Sequence, residues 1–315
     1  MRLRLDPWPA EFDSPIAMEE GASARRQVDA AVESSQWAAV ACAETRMDAA
    51  CCFVDGVRRV EARVLGDRDG ALVHGLLGTL AAGFVRAADG VAQFGDVHVG
   101  RYLILGKGAA ESLRLRIGGQ WLDFDAHATE QNSPDGVLAE LQSLMRMAEA
   151  RVAEQLATQA GCVFVDGLSY RATGRFDVVG VIKRILEPYL PPEQFVLVES
   201  LRKGERTPLF RIIDGTYERY SCFLRLADPR GFEHPLAGVV RVEIGAAVGI
   251  ERAKALAVLA AGMLPRFASS PTRDPRAPQN LLPVGALEQE MRRRMGDMTL
   301  IRRAIEKSLH EQRDR

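Results

Sequence analysis

With 315 residues, 47% of them hydrophobic, the chain can bury at least one substantial core, which excludes wholesale disorder. A formal net charge of −1 excludes nucleic-acid binding through overall positive charge and leaves that task to local patches. The five cysteines (Cys42, Cys51, Cys52, Cys162 and Cys222) form no C-x-x-C pair, and the expectation is buried, reduced thiols in a cytoplasmic protein.

The N-terminal stretch MRLRLDPWPAEFDSP has no apolar signal-like core, and the longest apolar run, Ala253 to Leu264, is too short to span a bilayer, so no membrane association is expected. Residues 14–48 open on Ser/Asp and are alanine-rich, which predicts one or two helices. From Ala50 to about His127 the texture changes to short β-prone runs separated by D-R-D-G, A-D-G and G-G-Q, a pattern of hairpins within one sheet. Helical periodicity returns over Asp135 to Gln159, with Leu138, Leu141, Leu144, Met145, Ala148 and Val152 on one face.

Beyond it the reading is a strand CVFVD from Cys162, a helix over Asp177–Tyr189 stopped by Pro191-Pro192, and strands at Gln194–Glu199, Leu209–Ile213, Arg219–Leu226 and Gly238–Ile244. A helix at Gly249–Leu264 and a basic helical tail over about 283–315 complete it. Strands first and then alternating strands and helices point to an α/β fold with a mixed sheet flanked by helices, in a single domain spanning residues 1–315.

One local repeat stands out. CCFVDGVRR at Cys51–Arg59 and CVFVDGLSYR at Cys162–Arg171 both run an apolar strand into Asp-Gly. If the two strands lie side by side, Asp55 and Asp166 project together, and the repulsion between them is relieved by a bound divalent cation. Mg²⁺ and Mn²⁺ take such hard oxygen ligands, as in two-metal phosphodiester hydrolysis. The glycines would permit a tight turn and close approach of a substrate backbone. The plainer alternative is that Asp-Gly is simply a turn dipeptide. A third carboxylate is expected from the preceding helix, which offers Glu140, Glu149 and Glu154; Glu149 lies nearest the apolar face, with pairing to nearby arginines as its alternative role.

These units, followed by GVIKR (Gly180–Arg184), YSCFLRL (Tyr220–Leu226), VVRVEIG (Val240–Gly245) and DPRAPQNLLPVGALEQEMRRRMGD (Asp274–Asp297), resemble in their order the NurA nuclease family. The resemblance extends over roughly residues 50 to 297 and implies a ribonuclease H-like core related to Piwi domains. It also implies a manganese-dependent deoxyribonuclease, of exonuclease and single-strand endonuclease type, working as a homodimer with a HerA-like hexameric ATPase in DNA end processing. Asp55, Asp166 and Glu149 would then be catalytic metal ligands for Mn²⁺ or Mg²⁺, with two ions held. Lys183, Tyr220, Arg225 and Arg241 would contact DNA. For Lys183 a solvated helix charge is the alternative reading, and Arg241 and Glu243, alternating on one strand face, either pair or line the cleft.

The chain departs from the family in two places. Many members have D-G-S where this chain has D-G-V, and archaeal members carry a histidine where PQNLLPVGALE has none; Asp274 and Glu288, flanking that stretch, offer oxygen instead. These departures motivate a second reading, a catalytically weak or inactive subunit that guides DNA or docks on a translocase. A third, the sugar kinase and actin branch of the same superfold, expects Gly/Thr-rich phosphate loops that D-G-V-R-R and D-G-L-S-Y do not resemble. No histidine pair has zinc spacing, and neither G-x-x-x-x-G-K-[ST] nor G-x-S-x-G occurs, so ATP-driven work would belong to a partner. The arginines of Met291–Met295 and Ile301–Arg303 are interspersed with glutamates and read as solvated or partner-facing charge.

Overall fold

Three short strands, β1 (Arg2–Leu5), β2 (Gln27–Asp29) and β3 (Val40–Ala41), precede three long ones, β4 (Cys51–Arg68), β5 (Ala71–Ala88) and β6 (Val91–Leu105). The coordinates, a computed structural model, describe residues 2–5, 27–41, 50–158, 162–167, 177–183, 185, 188–215, 217–230, 233–270, 272 and 278–313. The long strands are joined by Asp69-Gly70 and Asp89-Gly90, and all four residues have positive φ (54°, 78°, 52° and 75°). This is the backbone that tight two-residue hairpins demand, and it explains the D-R-D-G and A-D-G signals. The next hairpin, β7 (Leu113–Ile117) with β8 (Gln120–Ala128), turns on Gly118-Gly119 in the same way.

Helix α1 (Pro134–Ala157) starts where its sequence says it should: the Ser133 side chain accepts the Gly136 amide, and Pro134 occupies the first turn. Its buried stripe includes Leu138, Leu141 and Met145, with Leu144, Ala148 and Val152 partly buried beside it, the predicted face. The remaining elements are β9 (Val163–Val165), β10 (Val178–Ile182), α2 (Pro192–Ser200), β11 (Glu205–Arg206), β12 (Phe210–Asp214), β13 (Tyr217–Arg225), β14 (Val239–Gly245), α3 (Ile250–Met263), α4 (Leu282–Arg294) and α5 (Met298–Arg313).

Among the described residues the strands form one mixed sheet, with main order β2-β12-β13-β14-β10-β9-β4-β5-β6-β8-β7. The pairs β4/β9, β9/β10 and β6/β8 are parallel and the other pairs antiparallel. Helices flank the sheet. On one face Phe53, Phe164, Val179, Val181 and Val242 pack under Leu256 and Ala260 of α3. On the other, Cys52, Val54, Val163 and Val165 meet Ala153 and Leu156 of α1. Farther along β4 and β5, Val57 and Ala81 pack under Leu287 and Met291 of α4, and Ile301 and Ile305 of α5 close a separate core over Val64, Leu77 and Leu103. Cys51, Cys52, Cys162 and Cys222 are buried and form no disulfide among the described residues, and Cys42 lies outside them. No described helix is long and apolar enough to cross a membrane.

Three expectations are corrected. The helix expected over Asp177–Tyr189 begins instead with strand β10: Val178-Val179-Gly180-Val181-Ile182 is rich in β-branched residues and lies between β9 and β14 with both faces covered, so it shows no alternation to read. The strand expected at Gln194–Glu199 is helix α2. Pro191 and Pro192 preset its first turn, the Gln194 and Phe195 amides both reach the Pro191 carbonyl, and Val196 stays 64% exposed. Within the supposed N-terminal helical segment 14–48, the described residues 27–41 are strands and turns. The Asp29 and Ser34 side chains take up the amides of Ala31 and Gln36, which competes with a helix, and β2 pairs with β12. The basic tail is helical as expected, but broken into α4 and α5 near Gly296, whose φ is 88°.

Candidate carboxylate site

The two F-V-D-G units are neighbours in the sheet. Strands β4 and β9 pair in parallel with Cys52 opposite Val163, Phe53 opposite Phe164 and Val54 opposite Val165, so Asp55 and Asp166 stand next in line. The condition that the two strands lie side by side is met by the backbone ladder.

The two Asp-Gly pairs nevertheless do different things. Asp166 follows the last residue of β9, and Gly167, at φ 77°, turns the chain while its amide donates to the Val181 carbonyl. Asp55-Gly56 lies inside an 18-residue strand, paired with Gly83 and Ala82 of β5, and is not a turn. What Gly56 provides is space. A Cβ built on it would stand 2.6 Å from Oε1 and 2.9 Å from Cγ of Glu149, so the absence of a side chain lets α1 press that carboxylate against β4.

Strand alternation puts Asp55 on the face of Phe53 and Val57, under α3 and α4, and Gly56 on the face of α1. Asp55 and Glu149 therefore approach from opposite sides of the sheet. Strand β9 stops at Val165 while β4 runs on to Arg68, and at that step the carboxylates act on one another. Asp55 is 4% exposed, and its Oδ2 is buried with no hydrogen-bond partner. Burial, then the charge of Asp166, raises its pKa to about 8; Glu288 of α4 adds to this, whereas Lys183 and the Gly56 amide oppose it. Glu149 is held well above the usual carboxylate range by burial first and then by Asp55 and Asp166, against the pull of Arg146 and Lys183.

Lys183, one residue past β10, places its ammonium 3.2 Å from Asp166 Oδ2. Its side chain is 15% exposed and that of Asp166 42%. The stem lies in a small cleft lined by Phe53, Phe164, Val181, Leu281 and Val284. Among the described residues the segment before it is strand β10 rather than the expected helix, and a cation stands beside the second aspartate.

This donor set suits a hard divalent cation: oxygen ligands from three elements, one buried oxygen left without a partner, and neighbouring charges that raise the pKa values of Asp55 and Glu149. Among the described residues no three histidine, cysteine, aspartate or glutamate side chains already stand together as a cation cage. Glu149 stands on the far side of β4 from Asp55. Glu288 is the carboxylate that sequence reasoning placed only loosely. Its signal lay in the helix pattern, because it sits between Val284 and Met291 on the buried stripe of α4. Asp274 lies outside the described residues.

The residues expected to touch DNA divide differently. Arg225 is fully buried, and its guanidinium donates to the carbonyls of Leu201, Pro235, Ala237, Glu199 and Val198, so no donor is turned to solvent. Five inward carbonyls from α2, the residue after it and the segment before β14 left no mark in the sequence. Arg241 is 4% exposed; it and Arg219 share Glu243 Oε1 at 3.0 and 2.9 Å, and its guanidinium lies 4.3 Å over the Tyr189 ring. Of the two roles left open for Arg241 and Glu243, the structure therefore has them paired. Tyr220 is partly buried, on the sheet face packed against the α3 core.

No protein-family model matches the chain, and no curated protein matches it. Among solved structures it is similar to the crystal structure of the NurA nuclease from Sulfolobus solfataricus, with 12% identity, 88% of each chain covered and a TM-score of 0.47.

Proposed function

We propose that the chain is a divalent-metal-dependent deoxyribonuclease in which Asp55, Asp166 and Glu149 hold the metal. The observation that carries this reading is the parallel pairing of β4 with β9, which aligns two identical F-V-D-G units, the first with its Asp55 Oδ2 buried and without a hydrogen-bond partner. Mn²⁺ or Mg²⁺, when bound, supplies activation of a water and stabilisation of the leaving oxygen in phosphodiester hydrolysis.

The chain's own residues supply the rest. Asp55 would hold the cation as a carboxylate, and burial with the charge of Asp166 opposes its ionisation until such a cation is present. Gly56 admits Glu149 against β4. Lys183, at the mouth of the site, offers its ammonium to a phosphate oxygen of the substrate. The fuller form of the reading, carried by the resemblance, includes a ribonuclease H-like core, a homodimer and a HerA-like hexameric ATPase partner in DNA end processing.

Incubation of the purified chain with end-labelled single- and double-stranded DNA in Mn²⁺, Mg²⁺ or EDTA tests it. Metal-dependent cleavage that disappears in both Asp55→Ala and Asp166→Ala is the expected outcome, and cleavage that survives either change removes the assignment. The second reading, a scaffold that guides DNA or docks on a translocase, is favoured by the spread of the carboxylates and by D-G-V in place of D-G-S. Robust degradation by the pure protein would exclude it.

A further inference from the structure

Lys183 has a position that a DNA contact does not by itself require. Its side chain is more buried than that of its partner Asp166, and it lies in the cleft with Phe53, Phe164 and Val181 rather than out in solvent. Its ammonium makes one hydrogen bond among the described residues, to Asp166 Oδ2. That bond, 3.2 Å long, ties the ammonium to the carboxylate site, and its charge also opposes the raised pKa values of Asp55 and Glu149.

We propose that Lys183 is the resident counter-ion of the metal-free site, occupying with its ammonium the place beside Asp166 that a divalent cation takes over, so that metal binding displaces it toward the substrate. The inference rests on the metal-site reading above and adds its regulation. With its own cation inside, the metal-free site holds a charge partner for Asp166. Binding of metal then requires exchange of one cation for another, and the displaced ammonium is left beside the place where a phosphate arrives.

The test uses Mn²⁺ alone, without DNA, on the full chain. Mn²⁺ affinity is measured by the loss of the free-ion electron paramagnetic resonance signal for wild type, Lys183→Met, Lys183→Arg and Asp55→Asn, with circular dichroism to confirm folding. Removal of a competing positive charge at this range makes Lys183→Met bind Mn²⁺ at least about tenfold more tightly, while Lys183→Arg stays near wild type. A role only in packing or in DNA contact leaves the affinity unchanged or lowers it, and either result overturns the exchange. If Lys183→Met does not fold, Lys183→Gln replaces it under the same criteria. Mn²⁺ binding by wild type that is lost in Asp55→Asn, together with unchanged affinity in Lys183→Met, overturns the exchange and leaves the metal site standing. Absence of Mn²⁺ binding by wild type and Lys183→Met alike overturns both.

Discussion

Gly56 and Glu149 are in a contact that only glycine allows: a Cβ at position 56 would lie 2.6 Å from Glu149 Oε1 and 3.0 Å from its Cδ. Gly56→Ala therefore pushes Glu149 away from β4, at a cost of about 1–3 kcal/mol for overpacking. Urea unfolding measures the stability loss, and an Mn²⁺ titration of the same variant is expected to show weakened binding. Wild-type Mn²⁺ affinity in a folded Gly56→Ala protein would take Glu149 out of the site.

The pH dependence follows from Asp55. Burial and Asp166 raise its pKa to about 8, above the unfolded value of about 4. Between those values the folded protein keeps a proton that the unfolded chain has released, so the metal-free protein loses stability as pH rises through that window. Asp55→Asn removes this term, flattens the profile and gains on the order of a few kcal/mol over wild type at the alkaline end. Thermal unfolding across the pH range in EDTA reads it directly. Parallel profiles for the two proteins would contradict the assigned shift.

Arg225 is predicted to matter for stability rather than for DNA. Its guanidinium satisfies carbonyls from α2, the residue after α2 and the segment before β14. Truncation by Arg225→Ala leaves them unpaired, at a cost of about 3–5 kcal/mol. Arg225→Lys does not restore stability, because an ammonium cannot reproduce the planar fork. Denaturant melts give the loss, and DNA affinity of the folded fraction is expected to stay unchanged.

Glu33 and Arg206 make the corresponding test of the N-terminal region. Two guanidinium nitrogens of Arg206, a residue 1% exposed, reach the two Glu33 oxygens at 2.7 and 2.8 Å. Burial raises the Glu33 pKa, but the Arg206 and Leu209 hydrogen bonds and the charges of Arg206 and Lys254 outweigh it and leave it lowered. The stability it contributes is present above the ordinary carboxylate pKa and is lost as pH falls through the lowered folded value. Glu33→Gln is expected to reduce stability at neutral pH and to remove that acid-side slope; a slope unchanged by the substitution would contradict the pairing.

Much of this was legible in the sequence, for identifiable reasons. Asp-Gly at 69–70 and 89–90 announced hairpins because positive φ is cheap only for such residues, and the stripe on α1 showed because one of its faces meets the sheet. The pairing of the two F-V-D-G units was also readable as a possibility, since two matching apolar runs that end in Asp-Gly fit one parallel ladder. Strand β10 and helix α2 were misread because a strand covered on both faces has no alternation, and a β-prone run after two prolines follows its cap rather than its propensity. The role of Gly56 depends on a helix far away in sequence, and the burial of Arg225 and Arg241 depends on carbonyls and a carboxylate that only the folded chain brings together.

The most direct measurement is the anomalous scattering of Mn²⁺ in crystals of the protein grown with that ion. The account predicts peaks at coordination distance, about 2.1 Å, from carboxylate oxygens of Asp55 and Asp166, with Lys183 moved off Asp166. Peaks confined to other carboxylates, with Asp55 still buried and Lys183 still on Asp166, would contradict it.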